Sequence, residues 1–311
     1  MTADLSAQRA ALRPRLGSWG AWSFDYAFAP SSAARDAARA TEALGYGCLW
    51  FPENMESREA YVNAAVLLGA TERMLVATGI ANVWSRDARS SAQAARTLAD
   101  ASGDRFVLGI GVSHKPLVDP RGHVYQKPVA KMRSYLAEID AAEEAGRVAS
   151  DAPPIHTVIA ALRAPMLRLA AEASLGAHPY LVTADHTRMA RETMGPDPLL
   201  LVEHKVLLEE DPDVARAKAR EGIAWYLGAE NYVRNLLTLG FDEDDIANGG
   251  SDRLIDALVL WGDEESIVAR LREHHVAGAD HVCIHPLHDE ADPLGVATLD
   301  RLAPLLELPR S

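Results

Sequence analysis

Short apolar runs alternate with segments of helical periodicity along almost the whole chain. The runs predict strands at 16–22, 48–51, 74–80, 106–111, 155–161, 177–182, 199–208 and 281–285. Between them, apolar residues at helical spacing predict helices at 31–44, 58–71, 88–102, 129–145, from Pro165, 185–194, 211–227, 230–239, 264–275 and 299–306. Ser31 or Ser32 caps the first of these, Gly45 stops it, and Pro165 sits at a favoured early helical position. Residues 112–127 lack periodicity and carry Pro116, Pro120 and Gly122, which marks a long loop of the kind that is either functional or disordered. Strands in strict alternation with helices predict a parallel α/β fold, and eight of them favour a (β/α)8 TIM barrel with extra helices over an open sheet. No linker or repeat divides the chain, so one domain spanning 1–311 is expected.

In such a barrel the chemistry lies just past the carboxyl ends of the strands. The stretch Asp104-Arg105-Phe106-Val107-Leu108-Gly109-Ile110-Gly111-Val112-Ser113-His114 shows the pattern best. A buried strand ends there on glycine, serine and histidine, where backbone can approach a ligand and polar groups can meet it. The same rule selects Trp19 to Trp22, Pro52, Glu53, Asn54, Gly79, Ile80, Ala81, Asn82, Ala161, Leu162, Arg163, Thr183 to His186, Lys205 and the 285–288 segment. Glu53 reads either as a base or as a loop residue capping the next helix. His114 reads as an acid–base group, an anion ligand or a solvated loop histidine. Asp185 reads as a helix cap, and His274 and His275 as solvated helix residues. The tryptophans Trp19, Trp22 and Trp84 fit either core packing or a hydrophobic or aromatic small-molecule substrate.

Composition narrows the partners. Of 311 residues 48% are hydrophobic, enough for a full core. The net charge of −13 argues against nucleic acid or an anionic membrane surface. No apolar run reaches the length of a membrane span, and the Ala/Arg-rich start lacks a signal-type apolar core. A cytoplasmic location is therefore expected. Cys48 and Cys283 are far apart in apolar runs and read as small core residues. The eleven histidines show no HExxH or HxH spacing, so no metal site is expected. No Walker loop or nucleophile elbow occurs, and Gly109-x-Gly111 lacks the third glycine of a dinucleotide fingerprint.

Four stretches carry a resemblance. They are Ala43-Leu44-Gly45-Tyr46 with Leu49-Trp50-Phe51-Pro52-Glu53, then Ala70-Thr71-Glu72-Arg73-Met74 running on to Thr78-Gly79-Ile80. Arg86 and Ala94 with Arg105-Phe106-Val107-Leu108-Gly109-Ile110-Gly111 form the third, and Trp261-Gly262-Asp263-Glu264-Glu265 with Ala277-Gly278-Ala279-Asp280-His281-Val282 the fourth. Together they resemble the bacterial luciferase-like superfamily, whose members use FMN or the deazaflavin coenzyme F420. Gly111-Val112-Ser113-His114 with Tyr125-x-Lys127-Pro128 is similar to its actinobacterial F420-dependent oxidoreductases.

The resemblance implies a hydride-transferring F420 enzyme acting on a small organic substrate, and a homodimer. It implies a non-prolyl cis bond at Gly79–Ile80, in a bulge where 79–82 brace the deazaflavin ring. The phosphate tail would meet Gly111 to His114 and Ala161-Leu162-Arg163, where a helix N-terminus suits an anion. Trp19 and Asn54 would also face the coenzyme, and 112–127 would form a lid. FMN-binding relatives tend to place arginine just after strand 4, where this chain has Val112. An FMN-dependent monooxygenase is the runner-up, and a non-catalytic relative with a degenerate site the third reading. In F420-dependent sugar-phosphate dehydrogenases an Asp-His pair follows strand 2, with the histidine as base. This chain has Glu53-Asn54, so Glu53, His114 or the substrate would have to manage the proton.

Overall fold

The computed structural model describes residues 5–146 and 153–309, so the end points of the expected 1–311 domain lie outside the described residues. Its strands are β1 (Trp19–Trp22), β2 (Cys48–Phe51), β3 (Leu75–Thr78), β4 (Ala81–Asn82), β5 (Phe106–Gly111), β6 (His156–Ile159), β7 (Gly176–Ala177), β8 (Leu199–Leu208), β9 (Val259–Gly262) and β10 (His281–Pro286). All pair in parallel in the order β10-β1-β2-β3-β5-β6-β7-β8. β10 also pairs with β8, from His281 opposite Leu201 to Pro286 opposite Val206, which closes an eight-stranded barrel. The expected (β/α)8 architecture is the observed one. β4 adds to the carboxyl end of β5, and β9 runs beside the second half of β8.

The helices form as local chemistry dictates. Helix Ala88–Ser102 starts where the Asp87 carboxylate accepts the Ser90 N–H, and it stops at Gly103, which takes a φ of 66°. Its buried residues Ala88, Ala92, Ala95 and Ala99 recur at helical spacing and face the barrel. Inside the barrel Cys48, Trp50, Leu75, Val107, Val158, Leu199, Leu201 and Cys283 make a separate apolar cluster. Both thiols are free and buried there.

Three elements depart from the sequence pattern. The expected first strand at 16–22 begins only at Trp19, because helix Leu5–Leu16 precedes it. Leu12 and Leu16 of that helix close the amino end of the barrel. Buried Arg9 secures it, donating to the carbonyls of Ala171, Ser174 and Leu175 and to Asp197. The strand expected at 177–182 shrinks to Gly176–Ala177. Beyond it the backbone leaves the ladder: Leu181 takes a φ of 55° and donates its N–H to the Glu203 carboxylate. Helix Asp252–Leu258 and β9, which the pattern does not mark, follow one another without a turn, so their apolar residues merge into one run. The 112–127 loop holds a short helix, Lys115–Val118, and a 3-10 turn, Asp119–Arg121. No helix among the described residues is long and apolar enough to cross a membrane.

Candidate active site

The carboxyl ends of the barrel strands surround a cavity of about 880 Å³. That volume suits an organic cofactor or a drug-sized ligand. Of the residues expected from sequence, Glu53, Asn54, Gly79, Ile80, Gly111, Val112, Ser113, His114, Ala161, Leu162 and Arg163 all line it. Trp19 does not. It opens β1 at the far end of the strand, and its ring packs edge-on against His275 at 4.6 Å. The residue of β1 that reaches the cavity is Trp22, three positions on. Ala81 and Asn82 are buried behind the wall in β4, paired to β5.

The wall between β2 and β5 is held by Glu53. Its side chain is 5% exposed. Arg86 donates to both carboxylate oxygens at 2.7 and 3.0 Å, and Asn82 N–H donates to Oε2 at 2.6 Å. Glu53 N–H in turn donates to the Ile80 carbonyl, whose residue follows a cis Gly79–Ile80 bond. A carboxylate engaged by this many donors braces the backbone at the edge of the cavity that it lines. Removing one member of a buried pair leaves an unpaired charge, so Glu53→Ala is expected to lower stability by about 3 kcal/mol. Urea unfolding checks this, and an unchanged midpoint would show that the pair contributes nothing.

Gly79 is required by its neighbours. A Cβ there would stand 2.6 Å from Trp22 Nε1 and 3.1 Å from His178 Nε2. Both nitrogens are buried without a hydrogen-bond partner among the described residues. His178 Nδ1 donates to the Leu201 carbonyl at 2.7 Å, which leaves Nε2 as an acceptor; Trp22 Nε1 can only donate. The cavity wall therefore offers one unmet donor and one unmet acceptor around a bare backbone. Unpaired buried polar atoms are rare and call for a ligand or water.

On the opposite side Ser113, at a φ of 56°, and Arg163 line the wall, with helix Ala164–Ala173 starting beside them. Arg163 donates to Asn231, and Arg234 adds a second guanidinium. His114 lies between the Trp225 and Tyr232 rings, at 5.4 and 5.2 Å. Burial pushes its imidazole down to about 4, so it is neutral at neutral pH.

The floor carries a cluster in which sequence reading singled out only Lys205 and the 285–288 segment. Lys205 Nζ, 1% exposed as a residue, lies 2.9 Å from Glu203 Oε1, 2.9 Å from His285 Nδ1 and 2.6 Å from Tyr180 Oη. Burial alone would raise the Glu203 carboxyl, but Lys205, His285 and the Leu181 N–H hold it well below the usual carboxylate range. Burial draws Lys205 down from its ordinary value against the pull of Glu203. Glu203 and Lys205 stand two apart in an apolar strand and so share its inner face. That spacing was a usable signal for Glu203; Tyr180, Tyr226 and His178 reach the cavity from non-adjacent segments and gave none.

Two smaller expectations are corrected. Thr183, not Asp185, caps helix Ala184–Met194, accepting the His186 N–H, while Asp185 pairs with Arg188 at the surface. His274 is buried, not solvated, and bridges Thr187 Oγ1 at 2.8 Å and His204 Nδ1 at 2.7 Å; its neighbour His275 is half-buried against Trp19.

These features define a parallel barrel protein with a preformed cofactor-sized cavity at the carboxyl ends of its strands. The luciferase-like monooxygenase family model matches residues 18–281, and the chain belongs to that family. A 5,10-methylenetetrahydromethanopterin reductase of Archaeoglobus fulgidus is 24% identical over 286 residues, covering 78% of this chain and 85% of the relative. Among solved structures, the coenzyme F420-dependent tetrahydromethanopterin reductase of Methanopyrus kandleri superposes with a TM-score of 0.74 at 16% identity, covering 94% of this chain and 99% of that one. The oxygenating constituent of 3,6-diketocamphane monooxygenase of Pseudomonas putida, solved with FMN, gives 0.68 at 14% identity, covering 94% and 100%. At these identities the structural likeness establishes the fold.

Proposed function

We propose that the protein is a coenzyme F420-dependent oxidoreductase that passes hydride between the deazaflavin ring and a small, largely apolar organic substrate. The observation that carries this reading is the wall around Gly79. A flat ring lying there would meet bare backbone and Ile80 on one face. Its polar edge would find the Trp22 donor and the His178 acceptor, now unmatched. The coenzyme supplies the hydride chemistry when bound; the chain's residues bind, orient and exclude water. Arg163, Arg234, Ser113 and the start of helix Ala164–Ala173 would hold an anionic tail. The F420-dependent relatives support the coenzyme, as does Val112 standing where FMN-binding relatives tend to have arginine. Apolar Trp22, Phe24 and Trp225 on the cavity wall support an aromatic or hydrophobic substrate. The same reading takes the protein as a cytoplasmic homodimer, which light scattering would check for the assembly.

The test is a fluorescence titration of the purified protein with F420 and, in parallel, with FMN. Saturable binding of F420 in preference to FMN is the expected result. Preference for FMN would turn the reading to a monooxygenase, and binding of neither to a non-catalytic relative.

A further inference from the structure

The floor cluster has a proton direction built into it. A charged Lys205 can donate but not accept, and its Nζ lies 2.6 Å from Tyr180 Oη, so the tyrosine oxygen accepts. The Tyr180 hydrogen must then point elsewhere. Among the described residues its hydroxyl partner is Tyr226 Oη, 2.8 Å away. With that bond made, the Tyr226 hydrogen is the one left over, and Tyr226 lines the cavity. Lys205 Nζ also lies 4.1 Å from the centre of the Tyr180 ring, which fixes the ring beside the charge. The groups facing this chain are Glu203 on β8, His285 on β10, Trp22 on β1 and Tyr232 on helix Glu230–Thr238. Burial raises both phenols above their ordinary range, which keeps them protonated at neutral pH.

We propose that Tyr226 is the proton donor to a carbonyl substrate, resupplied through Tyr180 from Lys205. This rests on the oxidoreductase reading and names its substrate class as ketones or aldehydes, with the corresponding alcohols in reverse. The reduced coenzyme, when bound, would supply hydride to the carbonyl carbon. The C=O π pair moves to oxygen, which takes the Tyr226 hydroxyl proton. Tyr226 regains a proton from Tyr180, Tyr180 from Lys205, and Lys205 from solvent. The two electrons that the carbonyl gains would come with that hydride, so the step balances with the coenzyme as reductant. Tyr226 is the catalytic residue; Tyr180 and Lys205 are relay and positioning residues. A preorganised donor backed by a buried cation is worth most where oxygen develops charge.

The test uses 4-nitrophenol, an oxygen-bearing aromatic probe whose visible absorbance reports whether it is bound as phenolate. Wild-type protein is expected to bind it and to favour the phenolate. Tyr226→Phe, which removes one hydroxyl at the cavity wall, is expected to weaken phenolate binding about tenfold, the value of a hydrogen bond to a charged group. Tyr180→Phe should reduce the bound phenolate fraction, because Tyr226 then loses the donor that orients its hydroxyl. Lys205→Met leaves Glu203 without its cation and can fail to fold, so the two tyrosine variants decide. Absence of probe binding to wild type, or equal phenolate binding by Tyr226→Phe, overturns the proposal. Failure of the F420 titration alone overturns the coenzyme assignment and leaves the phenolate result standing by itself.

Discussion

Acidification from about pH 7 to about pH 5 is expected to unfold the protein cooperatively. His186 and His281 are buried and pushed down to about 4, and His204 to about 3, in each case chiefly by burial. His186 and His281 each lie against a backbone carbonyl, and His204 against His274. An unfolded histidine titrates near 6.5, so between 6.5 and the folded value the unfolded chain binds more protons. Stability therefore falls as pH falls through that window, by about 1.4 kcal/mol per unit for each imidazole, and levels off only below the folded value. At pH 5 these three together cost about 6 kcal/mol, comparable with the whole stability of a typical domain. The carboxylates whose values are lowered by partners, Asp104 and Glu203 among them, lose stability in the same direction at still lower pH. Circular dichroism against urea at the two pH values measures the effect. Equal urea midpoints would mean that these imidazoles take up protons in the folded protein.

Gly109→Ala is the second large effect. The α-carbon of Gly109 passes so close to β3 that a Cβ would stand 1.9 Å from the Thr78 carbonyl oxygen. The Thr78 hydroxyl locks this approach, donating to the Gly109 carbonyl at 2.7 Å and accepting its N–H at 3.0 Å. Neither side can give way except by moving a barrel strand, so the substitution is expected to cost about 3 kcal/mol or more. Thermal unfolding reads the loss. Because Gly79 follows Thr78 directly, F420 binding should weaken in the same variant. A fully stable Gly109→Ala protein would show that the two strands separate at little cost.

The barrel and most of its cavity wall were legible in the sequence because they follow from local rules. Strand-length apolar runs and the position of polar groups after each strand placed Glu53, Gly79, Gly111, Ser113, His114 and Arg163 together without any contact information. The rule failed where an element boundary moved. An unmarked helix at 5–16 shifted the first strand, and with it Trp19 went to the wrong end of the barrel.

What sequence alone determined is therefore the alternation, the parallel barrel it builds and the backbone positions that open onto its mouth, since periodicity and turn chemistry act over a few residues. What only the tertiary structure decided is the work each side chain does there. Glu53 and Arg86 are 33 positions apart, Tyr180 and Tyr226 are 46 apart, and Lys205 and His285 are 80 apart. Such pairs meet only because barrel closure brings β8 against β10 and folds the helix bearing Tyr226 over the mouth. Whether a carboxylate braces backbone or carries a proton depends on which donors arrive from across the chain, and no local pattern records that.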